Sequence, residues 1–150
     1  MNNWILSVVA GVGACLAIGL LSVLDSTFSD VALLMAPFGA SAVLVFGIPG
    51  SPLAQPKNVI LGHLITSFVG VIFFQYVGVS PLTLAIATGI AVSAMLLTNT
   101  THPPAGANPM LIMLSGQGWD FLITPVLIGA IAIVLVGQGM QRLVKQWVRL

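Results

Sequence analysis

The sequence predicts an all-α membrane protein, a small helical bundle made of two inverted three-segment halves. Of its 150 residues, 58% are hydrophobic and only 5% are charged, whereas roughly one quarter of an ordinary soluble domain is charged. Such a composition cannot cover a water-soluble surface, so lipid is the natural solvent of the chain. A net charge of +1 provides no basic patch for nucleic acid. The single Cys15 excludes an internal disulfide and a cysteine metal cluster.

Four apolar runs are long enough to cross a hydrocarbon core of about 30 Å at about 1.5 Å per residue. They are residues 4–24, 58–79, 81–97 and 121–142, and the third is near the lower limit. No basic segment precedes the first run and the rest of the chain is equally apolar, so we interpret this run as a helix and not as a cleaved signal peptide. We expect one transmembrane domain over residues 1–150.

Two shorter apolar segments, residues 37–48 and 104–115, are predicted to be half-helices or re-entrant segments. Pro-Phe-Gly-Ala at 37–40 matches Pro-Ala-Gly-Ala at 104–107, and a leucine follows each motif at the same offset. A long helix precedes each short segment and another follows it, which gives two halves of three segments. An odd number of segments inverts the second half, as in transporters with a binding site near the midplane.

The charged residues indicate one orientation. We first assume that every segment, long or short, crosses in turn from a cytoplasmic N-terminus. Asp25, Asp30 and Asp120 then lie outside, while Lys57, Arg142, Lys145 and Arg149 lie inside, as the positive-inside rule requires. If the short segments only dip into the membrane, Lys57 falls outside, so we prefer six crossings. We expect a multi-pass protein of the bacterial inner (plasma) membrane with both termini cytoplasmic.

Small residues recur at helical spacing and predict close packing between helices. The three series are Ser7, Gly11, Cys15 and Gly19; Gly62, Thr66 and Gly70; and Ala85, Gly89 and Ser93. Such faces can also line a pore. A bundle this small exposes much apolar surface, so a homo-oligomer is expected.

The most unusual stretch is residues 98–108, where polar side chains separate two apolar segments. Pro103 and Pro104 lack N–H groups and keep the chain extended through His102, and a helix can begin after them. The first-turn N–H groups of that helix carry partial positive charge and meet little side-chain bulk, which favours a small anion. Residues 36–41 would do the same from the opposite face. Alternatively, both motifs are tight turns that only pack helices.

His63 and His102 are expensive to bury in a membrane without partners, so each either serves a solute or bonds a backbone carbonyl. A metal site is a weak alternative because no carboxylate or thiolate accompanies them. No nucleophile or acid–base motif predicts an enzyme, and nothing predicts a cofactor or ATP. The predicted substrate-binding residues are Phe38, Gly39, Ala40, Ser41, His63, Thr101, His102, Gly106, Ala107 and Asn108.

At these residues the sequence resembles the HPP family of small integral membrane proteins. Residues 37–44 look like its first signature, residues 51–58 like its second, Gly62-His63 follows, and residues 102–107 look like the third. Where many members continue with Thr, this chain has Asn108-Pro109, and the second proline is expected to bend or shorten the following half-helix. Cyanobacterial and plastid members are implicated in nitrite transport, so the resemblance implies nitrite or a similar small inorganic anion as the partner.

Composition alone does not distinguish nitrite from nitrate, formate or chloride. Two other classes of function remain open at the level of the sequence. The first is a non-transporting scaffold or sensor that binds partner helices through its small-residue faces. The second is an intramembrane enzyme whose turnover depends on both histidines.

Overall fold

The computed structural model describes residues 3–27 and 33–148, with only the backbone for residues 147 and 148, and these ranges are helical without any strand. The α-helices within them are α1 Asn3–Thr27, α2 Pro37–Ala42, α3 Pro56–Ile72, α4 Pro81–Leu97, α5 Asn108–Ser115 and α6 Ile128–Val148. The predicted all-α fold is confirmed. Three stretches are long and apolar enough to cross a membrane, namely Asn3–Thr27, Pro56–Val77 and Trp119–Gln146, and α4 is a shorter apolar helix.

Prolines mark the beginnings of the helices. Pro37, Pro56 and Pro81 are the first residues of α2, α3 and α4, where a missing N–H costs no helical hydrogen bond. Ser80 strengthens the start of α4 with a capping box, because its Oγ accepts from Thr83 N at 3.1 Å and its N donates to Thr83 Oγ1 at 2.8 Å. α4 begins and ends at the predicted residues, Pro81 and Leu97.

The two elements predicted for residues 104–115 and 121–142 are each divided. A 3-10 turn, Pro103–Ala107, precedes α5, so the half-helix is shorter than predicted, with Pro109 in its first turn. α6 begins only at Ile128, after the turns Trp119–Leu122 and Ile123–Leu127. Thr124 has φ −126° and ψ 119° because it precedes Pro125, and a residue before proline is driven out of the helical region.

Each short helix runs alongside one long helix. A Cβ added at Gly129 of α6 would meet the ring of Phe38, and one added at Gly137 would meet Val45, so α2 and the turn Val43–Gly47 that continues it run in the same direction as α6. A Cβ at Gly70 of α3 would lie 2.8 Å from Pro109 Cα. One at Gly62 would lie 2.9 Å from the carbonyl oxygen of Thr100. α5 therefore runs in the same direction as α3.

These contacts recur at a fixed separation in the sequence. Four pairs of positions are involved, each 67 residues apart like Pro37 and Pro104: Gly62 with Gly129, Gly70 with Gly137, Leu33 with Thr100, and Val45 with Ile112. In each half a glycine of the long helix approaches the carbonyl before a short helix, and a second glycine approaches an apolar side chain of that helix. In both cases the long helix contacts the short helix of the other half: α3 contacts α5, and α6 contacts α2.

The long helices α3 and α6 run in opposite directions. Pro56 at the start of α3 lines the same cavity as Gln141 near the end of α6, while Phe38 contacts both His63 and Gly129 further along the two helices. Lys57, which follows Pro56, therefore lies at the same end of the molecule as Lys145, as the six-crossing arrangement requires. Asp30 and Arg149, which also entered the orientation prediction, lie outside the described residues.

The predicted small-residue packing holds on one helix of three. Gly62, Thr66 and Gly70 on α3 are buried, so the prediction is confirmed there. On α1 and α4 the faces point outward, since a Cβ added at Gly11, Gly19 or Gly89 would lie more than 4 Å from every described neighbour and Cys15 is exposed. Within a single chain the prediction is therefore wrong for α1 and α4.

Candidate functional site

A polar cluster without solvent exposure lies where the two short helices begin. Ser41 of α2, His63 of α3 and His102, which precedes α5, are each 0% exposed. Ser41 Oγ lies 2.8 Å from His63 Nε2 and 2.8 Å from His102 Nε2. One hydroxyl thus bridges two imidazoles, whose ring centroids are 5.0 Å apart.

Neighbouring residues of three segments position these side chains. The Phe38 ring packs edge-on against His63 with a centroid distance of 5.3 Å and an interplanar angle of 79°. Gly62 lets the extended chain approach α3, because a Cβ there would lie 2.9 Å from His102 Cβ. Asn58 Nδ2 donates to the carbonyl of Thr101 at 2.9 Å and ties the extended chain to the start of α3.

The bond from His102 to the backbone sets the direction of the hydrogen bonds. Its Nδ1 lies 2.8 Å from the carbonyl oxygen of Leu53; a carbonyl only accepts, so Nδ1 carries the hydrogen. In a neutral ring Nε2 is then the acceptor, and Ser41 donates its hydroxyl hydrogen to it. A neutral ring is expected here, since an unpaired buried charge is costly in an apolar surrounding.

The direction continues through His63 to α5. Having given its hydrogen to His102, Ser41 Oγ accepts from His63 Nε2, which leaves His63 Nδ1 as an acceptor. Asn108 Nδ2 lies 2.9 Å from that nitrogen and donates to it. The chain of bonds therefore runs one way, from Asn108 through both imidazoles to Leu53, and every hydrogen in it is used.

Asn108, at the start of this series of hydrogen bonds, has one side-chain atom without a hydrogen-bond partner among the described residues. Its Nδ2 also faces Ser67 Oγ at 2.9 Å, Thr66 Oγ1 at 3.2 Å and the His63 carbonyl at 3.2 Å. Its Oδ1 is buried and has no hydrogen-bond partner among the described residues. A buried acceptor without a partner is uncommon and calls for an explanation.

The first-turn amides of the short helices are partly occupied. Phe38 N donates to Met35 O at 3.0 Å, Gly39 N donates to Ala36 O at 3.1 Å, and Ala105 N donates to His102 O at 3.0 Å. These amides are consequently not free for an anion in this conformation. The side chains, more than the helix ends, supply the unusual chemistry of the site.

The structure brings half of the predicted binding residues together. Phe38, Ser41, His63, His102 and Asn108 form the cluster. The other five lie beside it without a side-chain bond to it: Gly39 and Ala40 are exposed, and Thr101, Gly106 and Ala107 are partly buried.

Three contributors to the cluster were not predicted as binding residues. Thr66 and Ser67 follow His63 by about one helical turn. This spacing places their hydroxyl groups on the same face as His63, but it is equally typical of helix packing. Leu53 contributes its carbonyl oxygen, and no side-chain pattern reveals a carbonyl.

Two cavities lie at the end of the molecule that holds the start of α3. One of about 160 Å³ is lined by the amide side chains of Gln55, Gln138 and Gln141 and by Ala54. The other, of about 320 Å³, is mostly apolar and includes Lys145. Ala54 lines the first cavity while its neighbour Leu53 binds His102, so the turn Pro52–Ala54 separates that cavity from the polar cluster.

Among the described residues, no three or more His, Cys, Asp or Glu side chains are grouped as metal ligands. The Nε2 atoms of both histidines face the Ser41 hydroxyl. The donor set consists of two imidazoles, a hydroxyl and an amide, which suits hydrogen bonding better than coordination of a metal ion.

The helices and the buried cluster define an integral membrane protein with several apolar helices around a polar centre. The family described as "HPP, transmembrane region" matches residues 1–148. The chain therefore belongs to the HPP transmembrane family. No solved structure matches it.

Two transmembrane proteins of Dictyostelium discoideum are similar to the chain. One is 32% identical over 128 residues, which cover 80% of this chain and 45% of the relative. The other is 36% identical over 110 residues, which cover 68% of this chain and 35% of the relative. The chain thus spans less than half the length of these relatives.

Proposed function

We propose that this chain transports a small monovalent anion across a membrane, and that the anion is bound near the midplane where α2 and α5 begin. Nitrite is the solute that the resemblance to the HPP family implies. The observation that carries the proposal is the Ser41 bridge between His63 and His102. Burying three polar side chains inside an apolar bundle is costly, and such groups mark solute pathways in membrane proteins.

The absence of acidic side chains from this bonded cluster favours an anion over a cation. In the neutral cluster the Ser41 hydroxyl, His63 Nε2 and the Asn108 amide carry hydrogens that an anion can accept, and His102 Nε2 carries one when that ring is protonated. When Ser41 turns away, the Nε2 atoms of both imidazoles face one vacated position. An anion placed there would exchange its hydration shell for hydrogen bonds from fixed protein groups.

The proposed route to the cluster starts from a cavity on one side, which the turn Pro52–Ala54 separates from the cluster. The cavity of about 160 Å³ has amide-bearing walls and is several times the roughly 30 Å³ that one water occupies, so a partly hydrated small anion fits. Movement of the turn Pro52–Ala54 would break the bond between Leu53 and His102 and open the cluster to this cavity.

The two halves are proposed to be inverted repeats. The glycine contacts repeated at a separation of 67 residues support this. So do the buried positions of α3, which correspond at the same separation to buried positions of α6 and of the turn Ile123–Leu127 before it, from Val59 with Val126 to Gly70 with Gly137. The orientation with both termini in the cytoplasm of a bacterial cell, at the inner membrane, is supported by Lys57 and Lys145 lying at one end.

Self-association is a further part of the proposal. Small residues of α1 and α4 face outward, and such faces let helices of neighbouring chains approach closely in lipid. The same faces favour the second candidate function, a scaffold or sensor that binds the helices of other proteins. A stoichiometric partner that co-purifies, together with no flux from the isolated chain, would support that alternative.

The test of transport is nitrite flux into liposomes that contain the purified protein. We expect flux above that of empty vesicles, and a large reduction in the variants His102→Ala and Gly106→Leu, provided both are folded and inserted. Gly106→Leu adds bulk to the turn Pro103–Ala107 that follows His102, whereas His102→Ala removes a bridging imidazole. No flux above empty vesicles at any pH rejects the proposal, and unchanged flux in both variants moves the site elsewhere.

A further inference from the structure

We propose that the anion crosses together with one proton, which is held by the histidine pair around Ser41; this inference rests on the transport function proposed above. The substrate would then be the anion plus H⁺, an electroneutral pair. The argument depends on how the cluster can store an added hydrogen.

In the neutral cluster the Ser41 hydroxyl hydrogen points to His102 Nε2, the one nitrogen of the two rings that accepts from Ser41. A proton arriving at that lone pair displaces the hydroxyl hydrogen. Ser41 Oγ already lies 3.3 Å from the carbonyl oxygen of Pro37, and this carbonyl accepts the displaced hydrogen. Ser41 Oγ then accepts from both imidazoles, so the cluster gains one proton without losing a bond.

The cluster has a second unused acceptor at its other end. Asn108 Oδ1 is buried and no described residue bonds to it, and a half-turn of the amide exchanges Oδ1 and Nδ2. The turned amide presents Oδ1 to His63 Nδ1, which can then carry a hydrogen as well. An added proton thus finds a hydrogen-bond acceptor whether it resides on His102 or on His63.

Charge balance links this proton to the anion. The Asp, Lys and Arg residues that the structure describes lie at positions 25, 57, 120, 142 and 145, and none of these five is among the groups bonded to the histidines. Those groups are Ser41, the Leu53 carbonyl and Asn108. A lone anion or a lone imidazolium is costly in this surrounding, and each offsets the charge of the other. The histidines are the residues here that can supply the positive charge.

The test measures nitrite and protons together in phosphatidylcholine–phosphatidylglycerol vesicles with a trapped pH indicator. Nitrous acid leaks through bare lipid, so the medium is mildly alkaline and the flux of empty vesicles is subtracted. We expect one proton to enter with each nitrite ion. The rate of nitrite entry should not change when valinomycin and K⁺ set the membrane potential. Nitrite flux that follows the potential without protons overturns this inference and leaves the transport function intact. Absence of nitrite flux overturns both.

Two variants and a matched control locate the proton. Ser41→Ala removes the bridge and is expected to lower coupled flux about tenfold or more, since two buried nitrogens lose their partner. Ser115→Ala removes a hydroxyl that donates to the carbonyl four residues earlier, as Ser41 does, but at an exposed site, and it should leave flux unchanged. His102→Gln keeps hydrogen-bonding capacity but cannot hold the proton. It should make the remaining nitrite flux sensitive to the potential, and one proton per nitrite in this variant contradicts the assignment.

Discussion

Ser41 and Asn108 bind opposite nitrogens of one imidazole, with Ser41 Oγ 2.8 Å from His63 Nε2 and Asn108 Nδ2 2.9 Å from His63 Nδ1. The two residues are separated by the same 67 positions as the paired glycines, so both halves of the chain hold His63. The corresponding position on α6 is Ala130, which is buried and apolar. The bundle therefore has corresponding backbone contacts in both halves, and each half contributes one histidine, but His63 and His102 do not occupy corresponding positions.

Removing the amide of Asn108 should destabilise the fold. Asn108→Ala leaves His63 Nδ1 and Ser67 Oγ without the donor that lies 2.9 Å from each, and an unpaired buried polar group costs about 1–3 kcal/mol. We expect a lower melting temperature in detergent and reduced nitrite flux. Gln75→Ala, which shortens an exposed amide at the end of the α3 segment, is the control and should change neither. An unchanged melting temperature in Asn108→Ala would mean that these bonds contribute little.

A methyl group at Gly62 should displace His102. The added Cβ would lie 2.9 Å from both His102 Cβ and the Thr100 carbonyl oxygen, and backbone atoms cannot move away as a flexible side chain does. We expect Gly62→Ala to cost about 1–3 kcal/mol of stability, as overpacked cores do, and to abolish flux.

The matched control for Gly62→Ala is Gly89→Ala on α4, where the added methyl group meets no atom within 4 Å. Thermal unfolding of the two variants in the same detergent compares them directly. Gly89→Ala should be as stable as the unaltered chain or slightly more stable, since alanine favours helix over glycine. Equal stability of both variants would show that the extended chain does not pack against Gly62 as described.

The sequence predicts those parts of the fold that depend on local chemistry. Ser80 and Pro81 define the start of α4, and both ends of this helix agree with the prediction. Pro125 interrupts the apolar run 121–142, so α6 begins at Ile128, later than the predicted helix. The proline lies in a continuous hydrophobic segment, where hydropathy alone gives no sign of a break.

Half of the binding prediction depended on tertiary packing and could not be read from the sequence. Ser41, His63 and His102 are polar in apolar surroundings, so the cost of burying them indicated that they have partners. Gly39 and Ala40 belong to the same motif as Ser41 but are exposed, because successive residues of a helix point about 100° apart. Without the position of α3, nothing in the sequence indicated which face of α2 is buried.

Labelling of single cysteines should place Gln55 and Gln146 on one side of the membrane. The start of α3 and the end of α6 lie together. Ser115 is the last residue of α5 and lies near the other end of α3, since the next residue, Gly116, lies against Phe74. In a Cys15→Ser background, we expect a membrane-impermeant maleimide to modify Gln55→Cys and Gln146→Cys only from the cytoplasmic side, and Ser115→Cys only from the outside. Labelling of Gln55→Cys and Gln146→Cys from opposite sides would contradict the six-crossing arrangement.

Oxidation should crosslink neighbouring chains through Cys15 if the exposed face of α1 pairs with itself. Gly11 and Gly19 flank Cys15 on this face, and a Cβ added at either would meet no described residue within 4 Å, so two α1 helices can approach as closely as small residues permit. A disulfide needs Cα atoms within about 7 Å, a distance that closely packed helices reach. We expect copper phenanthroline to yield a covalent dimer in membranes and none with Cys15→Ser. A dimer that is detected by mass in detergent but is never crosslinked at Cys15 would instead assign the interface to another face. The next face to test is that of the exposed small residues of α4, with the variant Gly89→Cys.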